Sequence, residues 1–173
     1  MITIKENFLP QKMIEDIALH IKEKIQSNSF AWMRSHSVDN IVHEGSTSFN
    51  MTLIDEFNEE LKKLIVEVDP RLKDYDFKSY VYLWNRNSML DWHDDMGYGA
   101  SATVYLNHDW DFNDGGLFLY RDSTLGKIIA EEPNYNKMIL INRMEKPVMH
   151  SVTSITPWAK QTRVTLQIRA TNV

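Results

Sequence analysis

The second half of the chain places the narrowest limits on its fold. From residue 76 onward, short runs of β-branched and aromatic residues, several of them alternating, are separated by turn-forming segments. The runs are FKSYVYLWN, ASATVYLN, GLFLY, GKIIAEE, KMILIN, MHSVTSI and TRVTLQIRA. Such closely spaced short strands predict a β-sandwich or jelly roll and do not fit alternating βαβ units.

Two amphipathic helices are predicted ahead of this β region. Apolar residues recur at helical spacing after Pro10 and again within 52–68, where Asp69 and Pro70 end the pattern. The intervening segment 27–47 is polar and irregular. Two interpretations of it stay open, a plain connecting loop and a loop that covers a substrate.

The chain shows no internal repeat, low-complexity segment or linker. We therefore expect one domain over 1–173, in which 1–75 form supporting helices and a loop and 76–173 form the β core.

Composition excludes several kinds of site and partner. The chain has no cysteine, so disulfides, thiolate metal sites and cysteine nucleophiles are excluded. A net charge of −5 argues against a nucleic-acid partner. Charged residues interrupt the apolar N-terminus and no apolar stretch is long enough to cross a membrane, so we expect a soluble, cytoplasmic protein without a signal peptide.

The segment LDWHDDMGYG, residues 90–99, concentrates side chains that bind metals. His93 is accompanied by Asp91, Asp94 and Asp95. In an extended segment, side chains two positions apart share a face, so His93 would point the same way as Asp91 and Asp95. Asp94 would point the opposite way, and we expect it to be an exposed charge. This spacing leaves two carboxylates open as partners of the histidine.

A third ligand has to come from a neighbouring strand, and His150 heads one. We expect surface or structural roles for the other four histidines. His20 lies on a predicted helix at a position expected to be exposed, His36 and His43 lie in the polar segment 27–47, and His108 lies in a turn. Two histidines and one carboxylate on one side of a metal make the facial site of non-haem Fe(II) oxygenases. His93, Asp95 and His150 can supply that set.

Arg163 adds a second part to this site, because it opens the last predicted strand, where it should face the same cavity. A buried guanidinium needs a carboxylate partner and suits a bidentate one. A dicarboxylate cosubstrate that chelates the metal at one end would present its other carboxylate there.

Over residues 80–171 the sequence resembles the Fe(II)/2-oxoglutarate-dependent dioxygenases, in particular their prolyl 4-hydroxylase-like branch. Four segments carry the resemblance: WNRNSMLDWHDD, VYLNHDWDFNDGGLFLY, NKMILINRMEKPVMHSV and TRVTLQI. With the strand pattern, it implies a mainly β, α+β fold, a double-stranded β-helix (jelly roll) with the N-terminal helices packed on the outside of one sheet. The Gly115-Gly116 pair is expected to serve backbone geometry at the entry to a strand.

The resemblance also implies roles for individual residues. His93, Asp95 and His150 would bind iron, which selects Asp95 among the three carboxylates. Arg163 would bind the distal carboxylate of 2-oxoglutarate, and Tyr105 would donate its hydroxyl to the same carboxylate.

The sequence departs from the branch at the presumed cavity wall. Trp84 stands where the branch usually has a tyrosine, and Asn87 stands where it usually has glycine. Tyr82, on the same strand face as Trp84, is a candidate to replace the missing hydroxyl. Trp84 and Trp110 are candidate substrate-lining residues.

The implied activity is hydroxylation of a substrate C–H bond, with Fe(II) as cofactor, 2-oxoglutarate and O₂ as cosubstrates, succinate and CO₂ as coproducts, and ascorbate as a further candidate cofactor. The leading candidate substrate is a prolyl residue of a peptide or protein. The alternatives are the same chemistry on a free amino acid, a small metabolite or a methylated base, and a non-catalytic jelly-roll binding module.

Overall fold

The computed structural model describes residues 1–27, 33–35, 48–52 and 55–171. Two α-helices lie in these ranges, α1 (Gln11–Gln26) and α2 (Asp55–Val68), close to the predicted positions. No helix of the described part is long and apolar enough to cross a membrane.

The described ranges also contain eleven β-strands. In chain order they are β1 (Ile2–Lys5), β2 (Met33–Ser35), β3 (Ser48–Thr52), β4 (Asp76–Trp84), β5 (Leu90–His93), β6 (Ala100–Tyr105), β7 (Phe118–Asp122), β8 (Lys127–Glu131), β9 (Met138–Asn142), β10 (His150–Val152) and β11 (Arg163–Thr171). All seven runs predicted from the sequence form strands.

The strands form two antiparallel sheets. The large sheet has the order β1-β9-β6-β11-β4-β3-β2, and the small sheet has the order β5-β10-β7-β8. The prediction of a mainly β fold with two helices is therefore confirmed.

Three strands at the edges of the large sheet differ from the sequence prediction. β1 pairs with β9 at one edge, and β3 and β2 extend the other edge from β4. The prediction that 27–47 is irregular throughout is wrong at β2, because pairing with β3 orders this short segment. Residues 28–32 and 36–47 lie outside the described residues, so the two interpretations of this segment stay predictions.

The helices pack on one face of the large sheet, as predicted. Strand alternation sends every second side chain of β4, β6 and β11 to this face. The helical residues buried there are Met13, Ile14 and Ile17 of α1 and Leu61 and Ile65 of α2. They contact sheet residues that include Val81, Val104, Leu140, Leu166 and Ile168. This apolar layer covers the face of the large sheet that points away from the candidate site.

The opposite face of the large sheet is covered by the small sheet. Buried residues of the layer between the sheets include Tyr82, Trp84, Tyr105, Phe118, Ile139, Ile141, Val152 and Ile155. This layer also contains buried charged and titratable side chains, among them Arg163 and His150. The candidate site lies in it.

The two consecutive glycines before β7 allow a close approach to the site, as predicted. Both have positive φ, +74° at Gly115 and +69° at Gly116. A Cβ atom at Gly115 would collide with the carbonyl oxygen of Ser154, and one at Gly116 would lie 3.2 Å from Cδ of Arg163. Glycine is required here because the chain passes directly against other backbone and against the arginine stem.

Candidate metal centre

Two histidines face each other on adjacent strands of the small sheet. His93 ends β5, His150 begins β10, and the two are paired in the antiparallel register. Cross-strand partners project to the same face of a sheet, and the imidazole centroids are 4.1 Å apart. The sheet itself therefore brings together two of the predicted ligands.

Asp95 reaches the same point by a different route from the one predicted. Strand β5 ends at His93 and Asp95 has a φ of +56°, so the assumption that 91–95 is extended is wrong. The left-handed conformation of Asp95 turns its carboxylate back toward the strands. Its Oδ1 lies 3.5 Å from Nε2 of His93, and its Oδ2 lies 3.4 Å from Nε2 of His150. One ligand atom from each residue lies within 4.8 Å of the other two.

Both imidazoles are oriented by backbone carbonyls. Nδ1 of His93 lies 2.7 Å from the carbonyl oxygen of Asp91, and Nδ1 of His150 lies 2.9 Å from that of Val148. A proton on each Nδ1 satisfies these contacts and leaves both Nε2 lone pairs directed at the shared point. The sequence gives no signal for these acceptors, which are main-chain groups.

The carboxylate of Asp95 is held in its charged form. Burial alone would raise its pKa, but hydrogen bonds from His150 and His93 in their protonated forms and from Ser101 outweigh burial, and the pKa lies well below the usual range for aspartate. The carboxylate in turn raises the pKa of His93 against the opposing effect of burial. An anionic oxygen and two neutral nitrogens suit a divalent transition metal.

Arg143 supports the turn that carries Asp95, and the sequence analysis missed it. Its Nη1 donates to the carbonyl oxygens of Asp95, at 2.8 Å, and Tyr98, at 3.3 Å. Its Nη2 donates to the carboxylate of Asp94 at 3.0 Å. The prediction that Asp94 is an exposed charge is wrong, because this ion pair holds it half-buried. One arginine thus fixes the residues on both sides of the candidate ligand.

Arg163 lies in the wall of the same cavity as the three candidate ligands. It is 1% exposed, and its guanidinium carbon is 4.9 Å from the ring centroid of Trp84 and 5.1 Å from that of Tyr105. Within the described part of the chain, its Nε and Nη1 and the hydroxyl of Tyr105 have no hydrogen-bond partner. Buried polar groups are normally paired, so this cluster of unpaired donors indicates a place for an anionic group of a ligand.

Burial acts on both members of this cluster. It lowers the pKa of Arg163, and it raises the pKa of Tyr105 to about 12 despite the opposing charge of the arginine. The phenol therefore keeps its proton at neutral pH and can donate it in a hydrogen bond. A carboxylate placed between the two residues would accept from both.

Of the three aromatic residues predicted to line the cavity, two lie in its described wall. Trp84 and Tyr82 line the cavity, with the Trp84 indole N–H donating to Thr165 at 3.0 Å. The Tyr82 hydroxyl accepts a hydrogen bond from Arg169 at 2.8 Å. Trp110 is absent from the described wall of the cavity; its indole donates to the carbonyl oxygen of Gly115 at 2.9 Å.

The remaining described histidines lie away from the site. His108 is exposed and stacks on Tyr135. The prediction that His20 is exposed is wrong, because α1 packs it half-buried against the ring of Phe57 on α2. His36 and His43 lie outside the described residues.

Comparison with known proteins extends these observations. No protein-family model matches the chain, and no curated protein matches it. Among solved structures, a Pseudomonas putida prolyl-4-hydroxylase matches 99% of this chain and 92% of its own, with a TM-score of 0.77 and 18% identity.

Two further structures match nearly the whole chain. A Trichoplax adhaerens prolyl hydroxylase, solved with a peptide fragment of the hypoxia inducible factor oxygen degradation domain, covers 99% of this chain and 83% of its own, with a TM-score of 0.73 and 15% identity. A 2OG-Fe(II) oxygenase family oxidoreductase from Burkholderia pseudomallei covers 98% and 85%, with a TM-score of 0.65 and 13% identity. The chain therefore has the prolyl-4-hydroxylase-like fold of the 2OG-Fe(II) oxygenases.

Proposed function

We propose that this protein is an Fe(II)- and 2-oxoglutarate-dependent dioxygenase that hydroxylates a substrate C–H bond, with a prolyl residue of a peptide or protein as its substrate. One observation carries the proposal. Three candidate ligands, His93, Asp95 and His150, converge in the same cavity in which Arg163 and Tyr105 present unpaired buried donors. We also propose that the two sheets form a double-stranded β-helix (jelly roll) within a single domain.

The three candidate ligands would contribute different kinds of ligand atom to a bound metal. The two imidazoles would supply neutral nitrogens and Asp95 would supply one negative charge to a divalent metal. Bound iron would supply the redox chemistry that couples oxidative decarboxylation of 2-oxoglutarate to oxidation of the substrate. In the balanced reaction one atom of O₂ enters the alcohol product and the other enters succinate, with release of CO₂.

Arg163 and Tyr105 would orient the cosubstrate. The guanidinium, flanked by the rings of Trp84 and Tyr105, would donate hydrogen bonds to the distal carboxylate of 2-oxoglutarate, and the phenol would donate to the same carboxylate. Pairing two buried donors with an anion removes the cost of leaving them unpaired. Binding at this end leaves the 2-oxo acid end for the metal side of the cavity. Ascorbate is proposed only as a reductant that keeps the metal ferrous.

The peptide bound in the Trichoplax adhaerens structure supports a peptide substrate for this chain. A free amino acid or small metabolite is the second candidate, favoured by Arg169, a second arginine in the wall of the cavity. A methylated base is less compatible with the net charge of −5. A non-catalytic binding module is the remaining alternative, and the unpaired donors at Arg163 argue against it.

The test is a turnover assay with Fe(II), 2-oxoglutarate and O₂ on a panel of proline-containing peptides. Mass spectrometry should detect one added oxygen atom on a peptide, with matching formation of succinate, and Asp95→Ala should abolish both. Arg121→Gln, which removes an exposed arginine of the small sheet, is the matched control and should retain activity. Turnover of a free amino acid but of no peptide would replace the proposed substrate. Absence of 2-oxoglutarate and metal binding would overturn the proposed activity.

A further inference from the structure

A second arginine faces the cavity from the same strand as Arg163. Strand alternation places Arg163, Thr165, Gln167 and Arg169 on one face of β11, and three of these residues, Arg163, Gln167 and Arg169, line the cavity. Arg163 is fully buried at one end of the row, whereas Arg169 is half-buried at the other. The proposed cosubstrate site uses only the buried arginine.

Arg169 is held by three tyrosines. Its guanidinium carbon lies 5.2 Å from the ring centroid of Tyr80, 6.0 Å from that of Tyr82 and 4.7 Å from that of Tyr98. Nη1 donates to the Tyr98 hydroxyl and Nη2 donates to the Tyr82 hydroxyl, both at 2.8 Å. The aromatic faces and the two hydrogen bonds fix the orientation of the guanidinium before any ligand arrives.

The charge of Arg169 has no carboxylate partner among residues 1–27 and 57–171. Two other arginines in that range do have one, since Arg71 pairs with Asp69 and Arg143 pairs with Asp94. A guanidinium has five N–H donors, and the two tyrosine hydroxyls are neutral acceptors that leave the positive charge uncompensated. Three donors remain for a further acceptor, a number sufficient for a bidentate carboxylate.

Arg169 is also close to the candidate metal ligands. It is paired with Ser101 in the register between β11 and β6, and the Ser101 hydroxyl donates to the carboxylate of Asp95. Tyr98, which accepts from Arg169, lies in the turn that follows Asp95, and Arg143 binds the main chain of both residues. An anion at Arg169 would therefore lie at the metal end of the cavity, away from Arg163.

We infer that Arg169 binds a carboxylate of the primary substrate, so that the substrate is an amino acid or peptide whose oxidised carbon lies close to a carboxylate. The inference rests on the proposed function, because it assigns Arg163 to 2-oxoglutarate and leaves Arg169 for the substrate. Two sources share this chemistry: the α-carboxylate of a free or C-terminal residue, and an acidic side chain next to the oxidised residue.

A purely structural role for Arg169 makes a different prediction. If the three tyrosines only use the guanidinium to brace β4, β11 and the turn at Tyr98, then removing the arginine should lower stability without any preference for charged substrates. The acid form of a ligand and its neutral amide would then bind equally well to the wild-type protein. Comparing matched acids and amides separates the two roles without any substitution.

The experiment is calorimetric binding to the full chain loaded with Mn(II) and saturated with 2-oxoglutarate, without O₂. Saturation keeps the probe carboxylates from binding at Arg163. The first pairs of probes are N-acetyl amino acids, including N-acetyl-L-proline, and their amides. The second pair is acetyl-Asp-Pro-amide and acetyl-Asn-Pro-amide, which tests an acidic side chain as the source.

We expect at least one acid to bind about 10- to 100-fold more tightly than its amide, as for a charge-assisted, bidentate contact in a partly buried site. Arg169→Gln should abolish this preference and Arg169→Lys should retain part of it, while Arg121→Gln should leave it unchanged. Binding of 2-oxoglutarate should persist in all three variants.

Equal affinity for every acid and its amide would overturn the inference, as would failure of all the acids to bind. A preference for the acid that survives unchanged in Arg169→Gln would also overturn it. In each of these cases binding of Mn(II) and 2-oxoglutarate would still support the proposed function. Loss of 2-oxoglutarate binding in the wild-type protein would instead contradict the proposed function itself.

Discussion

Substitution of Arg143 tests whether residues that only position the candidate ligands contribute to metal affinity. Arg143 touches no ligand atom, yet it donates to the carbonyl oxygen of Asp95 and to the carboxylate of Asp94. Asp95 has a left-handed backbone conformation, which costs an L-residue roughly 1–2 kcal/mol. We expect that without Arg143 this turn relaxes and the carboxylate leaves its position between the two histidines.

The magnitude follows from the contacts. Losing the partners that orient a metal ligand typically weakens metal binding about 10- to 100-fold, or about 1.4–2.8 kcal/mol. Arg143→Met keeps much of the stem and removes all three donated hydrogen bonds, so it should show the full effect. Asp94→Asn removes only the ion pair and should show less. Arg143→Met already removes the ion pair that Asp94→Asn removes, so the double variant should bind metal little worse than Arg143→Met alone.

The assay is competition of Mn(II) or Co(II) between each variant and a fluorescent chelator, with thermal unfolding measured alongside. Arg121→Met, at an exposed position, is the control and should bind metal like the wild type. If Arg143→Met unfolds cooperatively and binds metal within about twofold of the wild type, the positioning role is refuted. If Arg143→Met does not fold, the milder Asp94→Asn still decides the question.

Three other substitutions probe separate parts of the structure. Arg163→Gln should weaken 2-oxoglutarate binding about 100-fold with little effect on metal affinity, because it removes a buried charge-assisted contact; calorimetry that finds equal losses of both would contradict this role. Gly116→Ala should cost about 1–2 kcal/mol of unfolding free energy and several-fold in 2-oxoglutarate affinity, since a Cβ would press on Arg163 at positive φ; unchanged values in both measurements would be inconsistent with that packing. Hydrogen bonds from Arg71 and Asn142 hold the pKa of Asp69 below its usual value. The charged Asp69 carboxylate therefore stabilises the folded protein fully above the unfolded-state pKa of about 3.9, and this stabilisation is lost as pH falls through the folded-state pKa. In urea titrations the stability difference between wild type and Asp69→Asn should therefore shrink between about pH 6 and pH 3, and a constant difference would exclude this origin.

Local sequence signals were sufficient for the central strands and the helices. β4, β6 and β11 alternate because one face packs on the helices and the other lines the cavity, and that alternation is visible in the residues themselves. The edge strands β1, β2 and β3 are only three to five residues long, too short for alternation to stand out in the sequence. They form because the large sheet offers unpaired hydrogen-bonding groups at its edges, which is a tertiary effect.

The candidate site was predictable where its residues lie on recognisable strands. His93, His150 and Arg163 are at strand ends, and the sheets bring all three to one cavity. Asp95 also reaches it, but through a left-handed turn that strand spacing does not describe. Arg143 follows β9 with no spacing that relates it to Asp95, so only the folded turn reveals it.

Arg169 could have been singled out from the sequence, because it shares the strand face of Arg163. The sequence alone does not reveal that Arg169 lacks a carboxylate partner among residues 1–27 and 57–171. That observation needs the positions of Tyr80, Tyr82 and Tyr98, which come from two different segments of the chain.

The central claim is that His93, Asp95 and His150 bind Fe(II) and that 2-oxoglutarate binds beside them. The most direct measurement is the visible absorption spectrum of the protein with Fe(II) and 2-oxoglutarate under anaerobic conditions. A weak charge-transfer band should appear in the wild type and in Arg121→Gln, and it should be absent in His150→Ala. A band that persists unchanged in both His150→Ala and Asp95→Ala would contradict the ligand assignment.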